Sequence, residues 1–228
     1  MSFWNVLQKP LFVLAPMADV TDAAFRRIIA RYGKPPVMWS EFVSADGLAL
    51  APPAGKKKLL ADLLFTENER PIVAQFFTGD AAHMEEAANL AQELGFDGID
   101  INMGCPDRAI ERQHAGAAMI KDPVRAKAVI EGALRGAGGL PVSVKTRMGY
   151  NTDELDKWLP HLLETGIVAL TLHARTRKEM SAVPAHWEAV TRAVTLRDKH
   201  NPAVLILGNG DTKDLQDAKA KTEETRAD

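Results

Sequence analysis

The chain has 228 residues, 46% of them hydrophobic, which is enough for one substantial core and predicts a single domain over residues 1–228. Its formal charge of -2 gives no bulk attraction to nucleic acid, so binding to RNA or DNA would need a local basic face. The single cysteine excludes an intramolecular disulfide, and the apolar run in "MSFWNVLQKPLFVLAPMADVTD" is too short for a secretory or spanning segment, so we expect a soluble, cytoplasmic, monomeric protein.

Seven short apolar runs recur along the chain and predict strands. They are continuous rather than alternating, which is typical of parallel sheets that helices cover on both faces. The runs are residues 11–15, 37–39, 72–76, 98–101, 142–145, 169–172 and 204–207.

Helical patterns separate these runs. Residues 80–94 place apolar side chains on one face and can be capped by Asp80. A second pattern runs from Asp122 to Gly136, with Pro123 suited to the first helical position. In residues 153–164 we expect Pro160 to kink or delay the helix.

This alternation predicts an α/β fold of right-handed parallel units, a TIM (β/α)8-type barrel more than an open sheet. The sequence ends at "AKAKTEETRAD", where we expect the last strand to begin, so the barrel is predicted to lack its eighth strand.

Polar side chains end the predicted strands. In barrels of this type the chemistry lies at the carboxyl ends of the strands, and a purely structural rim would favour turn formers. The side chains with hydrogen-bonding or acid–base groups are those of Gln75, Asn102, Cys105, Lys145, His173, Arg175 and Asn209. Their convergence predicts an active site.

Lys145 is predicted to emerge into the mouth of the barrel. It could pair with an acidic neighbour such as Glu41. A cation there could instead stabilise an anionic reduced flavin or an oxyanion, or form a Schiff base if its pKa were depressed.

The segment "GNGD", residues 208–211, follows the last predicted strand and precedes a helix expected near Thr212. Two glycines can bring backbone N–H groups to an anion, and the helix adds its positive end, although the same letters also suit a plain turn. His173 is compatible with a structural role or with a ligand-binding one.

Cys105 lies beyond the end of its strand in "INMGCP" rather than in an apolar run. Gly104 permits close backbone approach, and Pro106 holds the cysteine extended. A thiol stays mostly protonated at neutral pH and can act as a general acid. One cysteine and six scattered histidines show no metal-ligand spacing, so no metal is expected.

Taken in order, the motifs resemble those of the tRNA-dihydrouridine synthase family over nearly the whole chain. They are "LAPMADVTDAAFRR", "PIVAQFFTGD", "GIDINMGCP", "VSVKTRMG", "LHARTR" and "LILGNGD". The resemblance implies reduction by FMN of the C5–C6 double bond of a uracil base in tRNA, with NADPH as the reductant.

The resemblance also implies roles for individual residues. Pro16, Met17 and Ala18 would support the flavin, Gln75 and Lys145 would contact its ring, and His173, Asn209, Gly210 and Asp211 would hold its phosphate end. Asn102 would lie between flavin and substrate, with Arg175 near the nucleotide. Cys105 would donate the proton to C5 of the uracil.

A base stacked in tRNA must be turned out to reach such a site. The arginines expected to meet tRNA phosphates are Arg108, Arg112, Arg147, Arg175 and Arg177. The family pattern continues from an "ETGAD"-like segment into the eighth strand and a helical domain, whereas this sequence reads "EETRAD", with Arg226 in place of the glycine.

Other functions remain open from the sequence alone. One is an FMN barrel that acts on free pyrimidines or related small molecules, and a less favoured one is a Schiff-base aldolase built around Lys145. The last is a non-catalytic remnant that binds tRNA weakly or binds nothing.

Overall fold

A computed structural model describes residues 2–228, so Met1, the first residue of the predicted domain, lies outside the described residues. Within that range the chain forms one sheet of six parallel strands in sequence order. The strands are β1 (Met38–Ser44), β2 (Ile72–Phe77), β3 (Gly98–Met103), β4 (Val142–Gly149), β5 (Ala169–Thr176) and β6 (Leu205–Asn209).

Helices alternate with the strands and cover the outside of the sheet. They are α1 (Ala23–Tyr32), α2 (Ala45–Leu50), α3 (Pro53–Asp62), α4 (Ala81–Glu93), α5 (Arg108–Glu111), α6 (Pro123–Gly136), α7 (Leu155–Leu163), α8 (Trp187–His200) and α9 (Leu215–Thr225). Short 3-10 helices lie at Phe3–Val6, Glu67–Glu69 and Gly116–Lys121. Between Ser2 and Asp228, no helix combines the length and apolar character needed to cross a membrane.

The sheet curves into a barrel whose amino-terminal end is filled by a second apolar cluster, separate from the core under the helices. In this closed-end cluster, Trp39 of β1 and Leu207 of β6 pack together with Trp4 from the first 3-10 helix. Residues from the first and last strands meet in this way only when the sheet bends round on itself. The predicted TIM-type α/β fold is confirmed.

Side chains alternate along the strands between the helices and the barrel interior. On β4, Val142 and Val144 belong to the core under the helices, whereas Lys145 and Arg147 line a cavity on the other face. The strands also run further than the apolar letters predicted, since β4 extends to Gly149 and β5 to Thr176. Among the polar residues that extend these strands, Arg147, His173 and Arg175 point into the barrel, whereas Thr146 accepts a hydrogen bond from Trp158 of α7.

The first predicted strand, residues 11–15, is wrong. A strand needs repeated ladder bonds to a neighbour, and within the described chain this segment makes a single backbone bond, from the N–H of Leu11 to the carbonyl of Asp228 at 2.7 Å. Asp228 in turn donates its N–H to the carbonyl of Ile206 on β6 at 2.9 Å. One residue therefore connects β6 to the Leu11 segment.

The helix predictions hold, with shifted ends. Asp80 accepts hydrogen bonds from the first N–H groups of α4, and Asp122 accepts one from Arg125 at the start of α6. Helix α7 contains Pro160 and begins at residue 155 rather than 153. The helix expected near Thr212 begins three residues later, where the Asp214 side chain accepts from the N–H of residue 217 at 2.8 Å.

Arg226 ends α9 in the left-handed conformation, with φ 60° and ψ 28°. Its N–H donates to the carbonyl of Thr222 at 2.8 Å, which closes the last helical turn. A residue with a Cβ is strained in this conformation and glycine is not. This gives a physical reason for the glycine that the family pattern places at the position.

Candidate active site

A cavity of about 1110 Å³ opens at the carboxyl ends of the strands. It reaches inward as far as Leu11 and Leu207 of the closed-end cluster, and its size suits a cofactor together with part of a substrate. The predicted site residues that line it are Pro16, Met17, Asn102, Cys105, Lys145, His173, Arg175, Asn209, Gly210 and Asp211. The fold thus brings together ten residues from five separate parts of the chain.

Lys145 faces Asn209 across the cavity floor, with its Nζ donating to the amide Oδ1 at 3.1 Å. Burial, assisted by the charge of Arg147, lowers the pKa of Lys145 to about 8. The pairing with Glu41 is not formed, because a Glu41 carboxylate oxygen accepts the N–H of Asp19 at 2.5 Å instead. The ammonium is therefore held by a neutral amide and keeps its charge available to the cavity.

His173 stands beside Lys145 and is held neutral. Burial, together with the charges of Lys145, Arg147 and Arg175, lowers the pKa of His173 to about 3. The Nη1 of Arg175 lies 3.3 Å from His173 Nε2, so this nitrogen acts as the acceptor. The imidazole is an uncharged hydrogen-bonding group in a strongly positive part of the cavity.

Arg175 is fixed by other protein groups. Its Nε donates to the carbonyl of Val183 at 2.6 Å, and its Nη2 pairs with the carboxylate of Asp211 at 2.5 Å. That pairing holds the pKa of Asp211 below its usual range. The guanidinium secures the turn after β6 and leaves little capacity for an outside partner.

The turn "GNGD" follows β6 as predicted. Gly210 has φ +125°, a conformation that side chains other than glycine rarely adopt. Its carbonyl accepts a hydrogen bond from Trp187 Nε1 at 2.9 Å. The Trp187 indole, which also lines the cavity, therefore holds the turn in place.

The loop of Cys105 is anchored from two sides. The Asn102 side-chain oxygen accepts the N–H groups of Gly104 at 3.1 Å and Cys105 at 2.9 Å. The Cys105 carbonyl accepts the N–H of Ala117, and Gly116 approaches so closely that a Cβ there would lie 2.6 Å from the same oxygen. The thiol is half-buried, and this burial raises the pKa of Cys105, so the thiol is protonated at neutral pH.

Two predicted residues lie away from the cavity lining. Ala18 is exposed in the turn after residue 17. Gln75 is fully buried inside the barrel, where its amide is bonded to Asp100 and to Asn102. The contacts proposed for these two residues remain predictions.

Sequence reasoning missed Asp100 and Ser143. Both are buried inside the barrel, and burial raises the pKa of Asp100 to about 6 against the opposing hydrogen bonds from Ser143 and Gln75. The alternation of Ile99, Asp100 and Ile101 along β3 marks the acid as an inward-facing residue. That period-two pattern was the available signal.

The five arginines expected to meet phosphate divide into two groups. Arg147 donates to the carbonyls of Gly104 and Thr176, Arg175 is fixed as described, and Arg177 is paired with both carboxylate oxygens of Glu111. In contrast, Arg108 and Arg112 are exposed at α5 and form no ion pair with any described residue.

These features define a class: α/β barrel proteins with basic side chains in a pocket at the carboxyl ends of the strands. The family model for dihydrouridine synthase (Dus) matches residues 13–228. The chain therefore belongs to the dihydrouridine synthase family.

Curated relatives agree with this membership. The chain is 44% identical over 216 residues to a probable tRNA-dihydrouridine synthase 2 of Bacillus subtilis, and 41% identical over 216 residues to a probable tRNA-dihydrouridine synthase of Staphylococcus epidermidis. Each match covers 94% of this chain and 65% of the relative. The chain thus spans about two thirds of the length of the curated relatives it matches.

Solved structures share the fold at low sequence identity. A variant of NCR from Zymomonas mobilis matches with a TM-score of 0.64 and 16% identity, over 100% of this chain and 85% of that one. Morphinone reductase matches with a TM-score of 0.62 and 11% identity, over 99% of this chain and 82% of that one.

In the part of the chain that the structure describes, no group of three or more His, Cys, Asp or Glu side chains could hold a metal ion.

Proposed function

We propose that this chain forms the catalytic barrel of a tRNA-dihydrouridine synthase, which reduces the C5–C6 double bond of a uridine in tRNA with FMN and NADPH. The observation that carries the proposal is that the Cys105 thiol, the Lys145 ammonium and the turn at Gly210 line one cavity. Family membership supports the same activity.

The residues present fit a flavin mononucleotide. The donor set joins one ammonium held by a neutral amide, one neutral imidazole and a glycine turn after β6. FMN, when bound, would supply the hydride for the reduction. Lys145 would contact the ring, and His173 with Asn209, Gly210 and Asp211 would hold the phosphate end.

Lys145 contributes positive charge where negative charge develops. Its pKa of about 8 leaves it mainly protonated at neutral pH, and its Asn209 partner carries no opposing charge. A cation in a partly dry cavity interacts with an anion more strongly than it would in water. Lys145 would therefore favour a bound flavin ring that is reduced and anionic over a neutral one.

Cys105 supplies the proton that the reduction requires at C5. Addition of a hydride at C6 of the uracil leaves enolate-like charge, and a proton at C5 completes the saturated bond. A thiol whose pKa is raised by burial carries that proton at neutral pH. NADPH would restore the reduced FMN, and solvent would return a proton to the Cys105 thiolate.

The tRNA would enter at the same end of the barrel. Arg108 begins α5 and Arg112 is the cap residue after its last turn, directly after the Cys105 loop, and both side chains are exposed. Such side chains suit contacts to the phosphates that flank a base turned into the cavity. Asn102 and Arg175 would then lie nearest to the uridine and the nucleotide.

Absorption spectroscopy of the purified chain with added FMN tests the cofactor first. Flavin bands that stay with the protein through gel filtration are expected. Incubation with NADPH and unmodified tRNA should then yield dihydrouridine. A chain that binds FMN but reduces free uracil or dihydroorotate-like compounds without RNA would contradict the tRNA assignment, and a chain that does not retain FMN would contradict the proposed cofactor.

A further inference from the structure

A buried carboxylate lies at the centre of the barrel, below the cavity. Gln75, Asp100 and Ser143 are register neighbours on β2, β3 and β4, so their side chains stand side by side in the interior. Asp100 accepts from Ser143 Oγ at 2.5 Å with one oxygen and from Gln75 Nε2 at 2.5 Å with the other. Their exposed fractions are 0% for Gln75, 2% for Asp100 and 3% for Ser143.

The hydrogen bonds continue from this carboxylate to the cysteine loop. Gln75 accepts with its Oε1 from Asn102 Nδ2 at 3.2 Å. Asn102 in turn accepts with its Oδ1 from the N–H groups of Gly104 and Cys105. An unbroken chain of side-chain bonds therefore joins Asp100 to the backbone of Cys105.

The direction of this chain is set at the carboxylate. An ionised carboxylate only accepts, so the Gln75 amide must turn its NH2 group towards Asp100 and its oxygen towards Asn102. Asn102 must then donate to Gln75, which leaves its oxygen for the two backbone N–H groups. Reversal of either amide would set acceptor against acceptor or donor against donor in a buried site, where unpaired groups are costly.

We propose that Asp100 is a positioning residue, which fixes the orientation of the Gln75 and Asn102 amides and thereby holds the Cys105 thiol towards the cavity. The catalytic value of this arrangement rests on the proposed function. The geometry of the thiol does not depend on it, and the thiol can be measured without cofactor or RNA.

Alkylation of the thiol by iodoacetamide tests the proposal, since Cys105 is the single cysteine of the chain. The rate is followed from pH 6 to 10 in the full chain, because only the thiolate reacts. Asp100→Ala removes the anchor, so the loop should loosen and the thiol should become more exposed. A fall of one unit in the thiol pKa would raise the rate below that pKa about tenfold.

Asp100→Asn is the rescue variant. Its side-chain oxygen can accept from Gln75 while its NH2 group donates to Ser143 Oγ, so the orientation of both amides is retained. We expect the wild-type rate and pH profile. Ile99→Val is the matched control, since Ile99 neighbours Asp100 on β3 but packs under the helices, away from the hydrogen-bonded chain.

A wild-type alkylation profile in Asp100→Ala would overturn the proposal, and so would an equal shift in Ile99→Val, which would indicate general loosening. If Asp100→Ala does not fold by circular dichroism, Gln75→Met interrupts the same chain at its middle with a side chain of similar shape. An unchanged profile in Gln75→Met would then overturn the proposal. Failure of flavin binding or of tRNA reduction would leave these outcomes unaffected.

Discussion

The two walls of the barrel interior are built on different principles. The amide wall, formed on β2–β4 by Gln75, Asp100, Asn102 and Ser143, is a set of buried groups whose hydrogen bonds are directed at one another. The cationic wall, formed on β4 and β5 by Lys145, His173 and Arg175, crowds positive charge around a neutral imidazole. The first wall fixes positions and the second sets an electrostatic potential.

The difference indicates which wall tolerates change. Removal of one member of the amide wall leaves a buried partner unpaired, and the disturbance passes to the next amide. Removal of a charge from the cationic wall relieves repulsion among its neighbours. We therefore expect substitutions in the amide wall to displace neighbouring side chains. Substitutions in the cationic wall should instead shift pKa values or binding affinity.

The largest effect should come from the thiol that the amide wall holds. Cys105→Ala should lower the rate of uridine reduction by about 10²–10⁴-fold, the usual contribution of a general acid, with FMN binding unchanged. Single-turnover reduction of tRNA, alongside the flavin absorption spectrum, measures the two quantities separately. Full activity in the variant would show that Cys105 is not the proton donor. The anchoring of its loop would then have no catalytic explanation.

The next effect concerns the stability of the amide wall. Asp100 has its pKa raised to about 6 in the fold, so the unfolded state ionises first as pH rises from 4. The acid form therefore stabilises the fold below about pH 4, and this contribution is lost as pH rises through 6. Relative to Asp100→Asn, the wild-type free energy of unfolding should fall by roughly 2 kcal/mol between pH 4 and pH 7.

Urea unfolding of both proteins at the two pH values gives this difference, and the other titrating groups cancel in the comparison. A constant difference between wild type and Asp100→Asn would show that Asp100 ionises with an ordinary pKa. The surroundings of Asp100 would then not exclude water.

A smaller effect is expected on the pKa of His173 in the cationic wall. Lys145→Met removes the neighbouring charge that acts most strongly on the imidazole, so the pKa of His173 should rise, while burial still keeps it below its usual range. Proton NMR of the imidazole across pH 3–8 measures this, with His173→Gln to assign the signal. A pKa that does not move would mean that burial alone keeps the imidazole neutral.

The smallest effect lies outside both walls, at the exposed arginines of α5. Arg108→Ala and Arg112→Ala should each weaken tRNA binding several-fold and reduce the slope of log affinity against log salt by about 1. Arg135, which pairs with Glu85 on another face, provides the matched control as Arg135→Ala. Equal losses in all three variants would indicate diffuse charge attraction instead of a path for RNA.

Much of the cationic wall was predictable from sequence, because Lys145, His173 and Arg175 stand in recognisable motifs at the ends of apolar runs. Of the four residues of the amide wall, only Gln75 and Asn102 were predicted. Asp100 and Ser143 escaped notice because the runs were read as continuous, whereas their polar letters alternate with the apolar ones. The partners of Arg175 and Arg177 lie 36 and 66 residues away, and no local pattern encodes such contacts.

The false strand at residues 11–15 has a related cause. Its letters are those of a buried strand, but a strand also depends on the neighbours to which it bonds, and these are set by the rest of the fold. The helices were easier to predict, since their caps at Asp80 and Asp122 act on N–H groups two or three residues away.

The indole that supports the Gly210 turn also makes the cavity observable by light. Trp187 lines the cavity, whereas Trp4 and Trp39 belong to the closed-end cluster and Trp158 is a buried residue of α7. Tryptophan emission overlaps flavin absorption, so a flavin seated against the turn would quench the fluorescence of this one residue most. A chain that retains Trp187 as its only tryptophan, with the other three changed to phenylalanine, would report cofactor binding in real time without any measurement of turnover.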